Sequence, residues 1–151
     1  KLVGETILRE QLSGRSTVSI RLPAILGPEA HSAWIPRITE KILMDKDVTI
    51  YNPDFKINNF VSVNDVARFT AQLLNLDFVG HHQFPLGCEG AMSVLGVVEY
   101  IKQLLKSKSK IEVASASTGS FMLDDRYARK QFGYAPANIE NTLLDYLDQY
   151  L

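Results

Sequence analysis

The stretch FKINNFVSVNDVARFT, residues 55–70, decides the architecture. Phe60, Val61 and Val63 read as a short apolar strand that stops at Asn64-Asp65. A helical pattern starts at once, with Val66, Phe69, Thr70, Leu73 and Leu74 on one face. Asp65 stands where an N-cap is expected, a role worth about 1 kcal/mol. A strand that runs straight into a capped helix is the repeating joint of an α/β fold.

The same joint recurs outward from this stretch. Thr17 to Leu22 is rich in β-branched residues and reads as a strand that Pro23 stops. Ala33 to Met44 places Ile35, Ile38, Ile42 and Leu43 at helical spacing, and Val48 to Tyr51 reads as the next strand. His82 to Gly87 forms another strand, and Ser93 caps a helix running to about Leu105. Lys110 to Ala114 is a strand, Asp124 caps a short helix that Gly133 closes, and Asn138 opens the last helix. Upstream, Lys1 to Leu12 is helical, with Val3, Ile7 and Leu8 on one side and Gly14 at its end. The inner glycine, Gly4, costs helix stability and is expected to permit a close helix approach. No capping residue opens this helix, so the sequence enters in mid-helix, as a later half of a larger α/β unit would.

Composition narrows the function classes. The 151 residues hold 16 Lys+Arg against 17 Asp+Glu, a net charge of −1 that gives no electrostatic reason to expect nucleic acid or an anionic membrane. No apolar run approaches the roughly 18 residues of a membrane span. The single cysteine, Cys88, excludes an internal disulfide framework and fits a reducing, cytoplasmic compartment. On its own it reads as a small buried apolar side chain. His81-His82 has no further ligand at metal spacing, so no metal site is expected. Neither G-x-G-x-x-G nor G-x-x-x-x-G-K-[ST] occurs.

Five segments, in order, carry a resemblance: KLVGE (1–5), SIRLPAILGP (19–28), NNFVSVNDVA (58–67), FPLGCEGAMSVLGVVEYIKQLL (84–105) and DDRYARKQFGYAP (124–136). Together they resemble the extended short-chain dehydrogenase/reductase family, the NAD-dependent epimerases and dehydratases. The resemblance implies an α/β fold: the C-terminal part of a Rossmann-like domain, with late sheet strands and a small substrate-binding lobe. It implies that residues 1–151 are that portion, with the dinucleotide-binding half lying outside the chain. Lys1 would be the lysine of a Tyr-x-x-x-Lys motif whose tyrosine lies four residues upstream. Without the family pattern, Lys1 reads as an ordinary solvated lysine.

The resemblance further implies NAD or NADP as cofactor and hydride transfer on a sugar or nucleotide sugar. The chemistry is sensible: a nearby ammonium stabilises the phenolate of a tyrosine that must exchange a proton near neutrality. Lys1 would also hold the nicotinamide ribose, and Pro23, Ala24 and Ile25 would lie against the nicotinamide. Pro23 is equally a strand terminator. The fragment alone is expected to be inactive, and a homodimer pairing through the Tyr-x-x-x-Lys helix is the implied assembly.

The substrate is where this chain departs from the pattern. Members acting on nucleotide sugars usually carry Arg where this chain has Asn58, as a planar clamp for the diphosphate. The loop from Ser115 to Leu123 also lacks a cation. Arg37 and Lys56 are near enough in sequence to substitute in part. His31, Ser32, Trp34 and Arg37 are the remaining candidates for a substrate pocket, alongside Asn58. Their plain reading is a surface loop leading into a helix, with Trp34 in the core. Arg21 and Glu5 read as structural partners. Two alternatives stand beside the sugar-nucleotide reading: a reductase of a carbonyl substrate without a diphosphate, and a non-catalytic ligand-binding relative.

Overall fold

A computed structural model describes residues 2–11, 14–115, 119 and 121–151. Lys1 therefore lies outside the described residues, and so does part of the loop before Leu123. The helices are α1 (Leu2–Gln11), α2 (Trp34–Leu43), α3 (Val63–Leu73), α4 (Val94–Leu104), α5 (Arg126–Phe132) and α6 (Ile139–Leu147). The strands are β1 (Thr17–Arg21), β2 (Ala24–Leu26), β3 (Val48–Tyr51), β4 (Lys56–Ile57), β5 (Phe60–Ser62), β6 (His81–Pro85), β7 (Met92–Ser93) and β8 (Ile111–Ala114). β1 pairs with β6, β2 with β5 and β3 with β8, all parallel, while β4 and β7 pair antiparallel. Parallel pairs separated by helices are the expected α/β arrangement. Among the described residues, no helix is long and apolar enough to cross a membrane.

β5 is the hinge between two cores. Successive strand residues face opposite ways, so Phe60 enters one core and Val61 the other. The first core joins β2, β3, α2, α4 and α6 through Leu26, Ile35, Ile50, Val97, Ile101 and Leu143. The second joins β5, β6, α3 and α5 through Phe69, Phe84, Leu86, Phe132 and Tyr134. Phe69 packs tilted on Tyr134 with ring centroids 4.8 Å apart. The segment NNFVSVND thus carries the chain from the first packing layer to the second.

Several sequence expectations hold and several change. Ser93 accepts from the Gly96 N–H at 3.0 Å and Asn138 from the Asn141 N–H at 2.8 Å, so both caps are as read. Gly133 closes α5 in the left-handed region, at φ 67°. Asp65 does not cap α3. Ser62 does, accepting from Asn64 N–H at 3.1 Å. Asp65 instead turns inward, buried, and accepts from Ala137 N–H at 2.8 Å, with Arg68 as its ion partner. Asp125 holds the position before α5 but makes no side-chain capping bond; Asp124 supplies the acceptor, from Arg126 N–H at 3.2 Å. Gly4 serves no close approach: a Cβ there would meet no described atom within 4 Å. Close packing needs glycine instead at Gly27, where a Cβ would lie 2.6 Å from Val63 Cγ1, and at Gly87, where it would lie 2.9 Å from the Asn58 carbonyl oxygen. Arg21 and Glu5 prove to be each other's partner, joined by bonds of 2.9 and 2.7 Å that tie α1 to β1. That bond holds the Glu5 carboxyl below its ordinary range.

Candidate functional site

Helix α2 buries Ile35, Pro36, Thr39 and Ile42. Trp34, Arg37, Ile38 and Lys41, spaced three and four apart, form an adjoining stripe. This stripe is one wall of a cleft of about 890 Å³, within the range of small-molecule sites. Strand β3 supplies the second wall. Its alternating burial sends Val48 and Ile50 into the core and turns Thr49 and Tyr51 outward. Ile57, Asn59 and Val94 lie beneath, and Phe121 closes the far side. Arg37 and Lys41 have no ion-pair partner among the described residues, and no Asp or Glu lines the cleft there.

A second cavity of about 610 Å³ opens where β1 passes into β2. Pro23 and Ala24 line it together with Arg21 and Pro85. Trp34, Asn59 and Phe121 line both cavities, so the two adjoin as a trough divided at those three side chains. The Oδ1 atom of Asn59 is buried without a hydrogen-bond partner among the described residues. A buried polar atom left unpaired costs about 1–3 kcal/mol, so its position beside the trough is a feature of the site.

The candidates read from sequence separate into two groups. Pro23, Ala24, Trp34 and Arg37 come together along the trough. Trp34 lines the trough and also packs against the first core. His31, Ile25, Asn58 and Lys56 do not line it. The exposed His31 ring bonds the Glu29 carbonyl through Nδ1 at 2.9 Å. Ile25 is on β2 beside Val61, pointing away from the first core. Lys56 is exposed on β4. The buried Asn58 has its whole amide engaged by one residue: Oδ1 accepts from Leu123 N–H at 2.7 Å, and Nδ2 donates to the Leu123 carbonyl at 3.0 Å. Neighbours in an extended connection face opposite sides, so Asn59 meets the trough and Asn58 does not. Lys41, Tyr51 and Asn59 are among the lining residues the sequence reading missed. Lys41 was legible as one helical turn beyond Arg37.

The other polar groups near β5 are closed structural sets. Arg129 pairs with Asp125 through two bonds of 2.9 Å and with Glu89. These partners hold its guanidinium firmly protonated. Cys88 Sγ lies 3.0 Å from the Phe60 carbonyl it donates to, and burial pushes the thiol up to about 12, leaving it a poor nucleophile. His81 bonds Thr17 Oγ1 at 2.9 Å and His82 bonds Tyr127 Oη at 2.7 Å. No group of three potential metal ligands occurs among the described residues.

No protein-family model matches the sequence, and no curated protein sequence does. Solved structures do match. UDP-glucose 4-epimerase from Thermotoga maritima, solved with UDP-glucose, superposes with a TM-score of 0.76 at 17% identity, covering 99% of this chain and 50% of that one. dTDP-glucose 4,6-dehydratase from Bacillus anthracis, solved with NAD, gives 0.77 at 19% identity, with 99% and 48% covered. UDP-glucuronic acid 4-epimerase from Bacillus cereus, solved with UDP-glucuronic acid and NAD, gives 0.71 at 19%, with 89% and 46% covered. The chain spans about half the length of these structures. It has the fold of the C-terminal half of extended short-chain dehydrogenase/reductase enzymes, the architecture that these sugar-nucleotide epimerases and dehydratases share.

Proposed function

We propose that this chain is the substrate-binding portion of a nicotinamide-dependent epimerase, dehydratase or reductase that acts on a sugar or nucleotide sugar. The observation that carries the reading is the trough, with Pro23 and Ala24 at one end and the cationic, aromatic wall of α2 and β3 at the other. A ligand with a flat ring, an anionic linker and a polar sugar matches that succession. The neighbours' ligands, UDP-glucose, UDP-glucuronic acid and NAD, are of this kind.

In this reading residues 1–151 work with a dinucleotide-binding half supplied by the rest of the enzyme, and alone they are inactive. NAD or NADP, held beside Pro23 and Ala24, would supply the hydride chemistry that these reactions share. Pro23 and Ala24 fit a place beside that group, because residues 22 and 23 lie in no strand ladder and so leave backbone open to a ligand. Lys1 would stabilise the phenolate of a tyrosine four residues upstream. Trp34 and Phe121 orient the ligand at the junction and exclude water from it. The exposed Val3 and Ile7 of α1 suit a homodimer contact. The free, buried Cys88 suits a reducing cytoplasm.

The test expresses the full-length protein and follows nicotinamide absorbance and sugar product with a panel of UDP- and dTDP-sugars. Turnover of one of them, abolished by Lys1→Met, is the expected outcome. An upstream sequence lacking both the tyrosine and a glycine-rich phosphate loop would overturn catalysis and leave a ligand-binding relative. A carbonyl substrate without a diphosphate is the second reading. Its support is the engaged amide at Asn58, where the resembled enzymes carry a phosphate-binding arginine.

A further inference from the structure

We infer that Arg37 and Lys41 together form the cationic clamp for the phosphates of the ligand, with the anion held from helix α2 rather than from the strand position that Asn58 occupies. The inference rests on the reading of the trough as a nucleotide-sugar site and names the groups that recognise its charge.

Four observations converge. First, Arg37 and Lys41 lie one helical turn apart and line the same cleft. Like charges at this spacing repel, and an anion between them would turn that repulsion into attraction. Second, neither has an ion partner among the described residues, although the chain carries one more acid than base. Arg129 of the closed set is by contrast paired with two carboxylates. Third, no carboxylate among the described residues lines the cleft, so it holds a local charge of two cations on a chain of net charge −1. Fourth, Asn58 cannot turn toward a phosphate without breaking both of its bonds to Leu123.

The two heads divide the work by chemistry. The Arg37 guanidinium offers a planar fork for two phosphate oxygens, and the Lys41 ammonium offers a movable point charge for the adjacent group. Trp34, Tyr51 and Phe121 border the same space and give a flat ring somewhere to stack. The shared chemistry is therefore a diphosphate, whether free or attached to a nucleoside.

Calorimetric titration of the full-length protein with UDP, uridine and inorganic pyrophosphate tests this. Wild type is compared with Arg37→Ala, Lys41→Ala, the double variant, Arg37→Lys, and Arg15→Ala as an exposed control of equal charge change. Each single alanine variant should weaken UDP by about tenfold and the double by about a hundredfold, the scale of lost charge-assisted bonds. Arg37→Lys should recover part of the loss, while uridine affinity stays unchanged. Pyrophosphate that binds as tightly as UDP, and loses as much in the variants, would assign the clamp to free diphosphate; weaker pyrophosphate assigns it to a nucleoside diphosphate. UDP that binds wild type and double variant alike would overturn the clamp and leave the nucleotide-sugar reading standing, as would an equal loss in Arg15→Ala. Failure of wild type to bind either UDP or pyrophosphate would overturn both.

Discussion

Two polar regions flank β5, and they are built on opposite plans. On one side Asn58, Glu89, Asp125 and Arg129 saturate one another or the backbone: the amide grips Leu123 and the guanidinium is shared by two carboxylates. On the other side Arg37, Lys41 and Asn59 line a trough with no charged partner for either cation among the described residues, and the Asn59 Oδ1 atom is buried there without a hydrogen bond. A region that satisfies its own polar groups gains nothing from a ligand. A region that leaves them open in a cavity is poised to gain. If that contrast is right, changes on the first side should cost stability, and changes on the second should cost affinity.

The largest stability effect belongs to the ion set on α5. Asp125 is buried, so removing its partner leaves an uncompensated charge in the interior. Arg129→Met is expected to cost about 3 kcal/mol in chemical denaturation. A loss below about 1 kcal/mol would mean that Asp125 is hydrated, and the closed set would lose its structural standing. Asn58→Ala should follow at about 2 kcal/mol, because it strands the N–H and carbonyl of Leu123. It should leave uridine binding intact, which separates it from a substrate contact.

The closed side also predicts a pH dependence. The Cys88 thiol is raised from 9.0 to about 12 by burial. Below pH 9 it is protonated in folded and unfolded chains alike, and its burial contribution is fully present. Between pH 9 and 12 the unfolded chain ionises while the folded one does not, so stability falls as pH rises. At pH 10 the expected loss is about 1 kcal/mol, and Cys88→Ala should remove that part of the slope. Alkylation by iodoacetamide at neutral pH should be slow in the native protein and fast in denaturant.

The unequal legibility of the two sides in sequence has a physical origin. Long helices declared themselves because ten or eleven residues repeat the 3.6-residue period several times, as in α3 and α4. β4 and β7 escaped notice, since two residues show no period at all. The cap of α3 was misassigned because Ser62 and Asp65 are both good acceptors. An N–H from Ala137, 72 residues away, draws Asp65 inward. The same logic governs the site. Asn58 and Asn59 are chemically identical, and which one faces the trough is decided by Leu123, 65 positions along the chain. Position 58 drew attention through the resemblance, while the trough turned out to be lined by its neighbour.

The smallest expected effect is the one that separates the two plans most cleanly. Arg37→Ala and Lys41→Ala each remove an exposed charge whose helical neighbour repels it. Without ligand, either change should leave the denaturation midpoint within about 0.5 kcal/mol of wild type, with the shift toward greater stability. With saturating UDP the order should invert, because ligand binding stabilises the folded state in proportion to affinity. The wild type would then melt above both variants, whereas Arg129→Met would keep its deficit with or without ligand. An Arg37→Ala protein that is markedly less stable when empty would show that Arg37 is packed or paired, and the open side of the comparison would close.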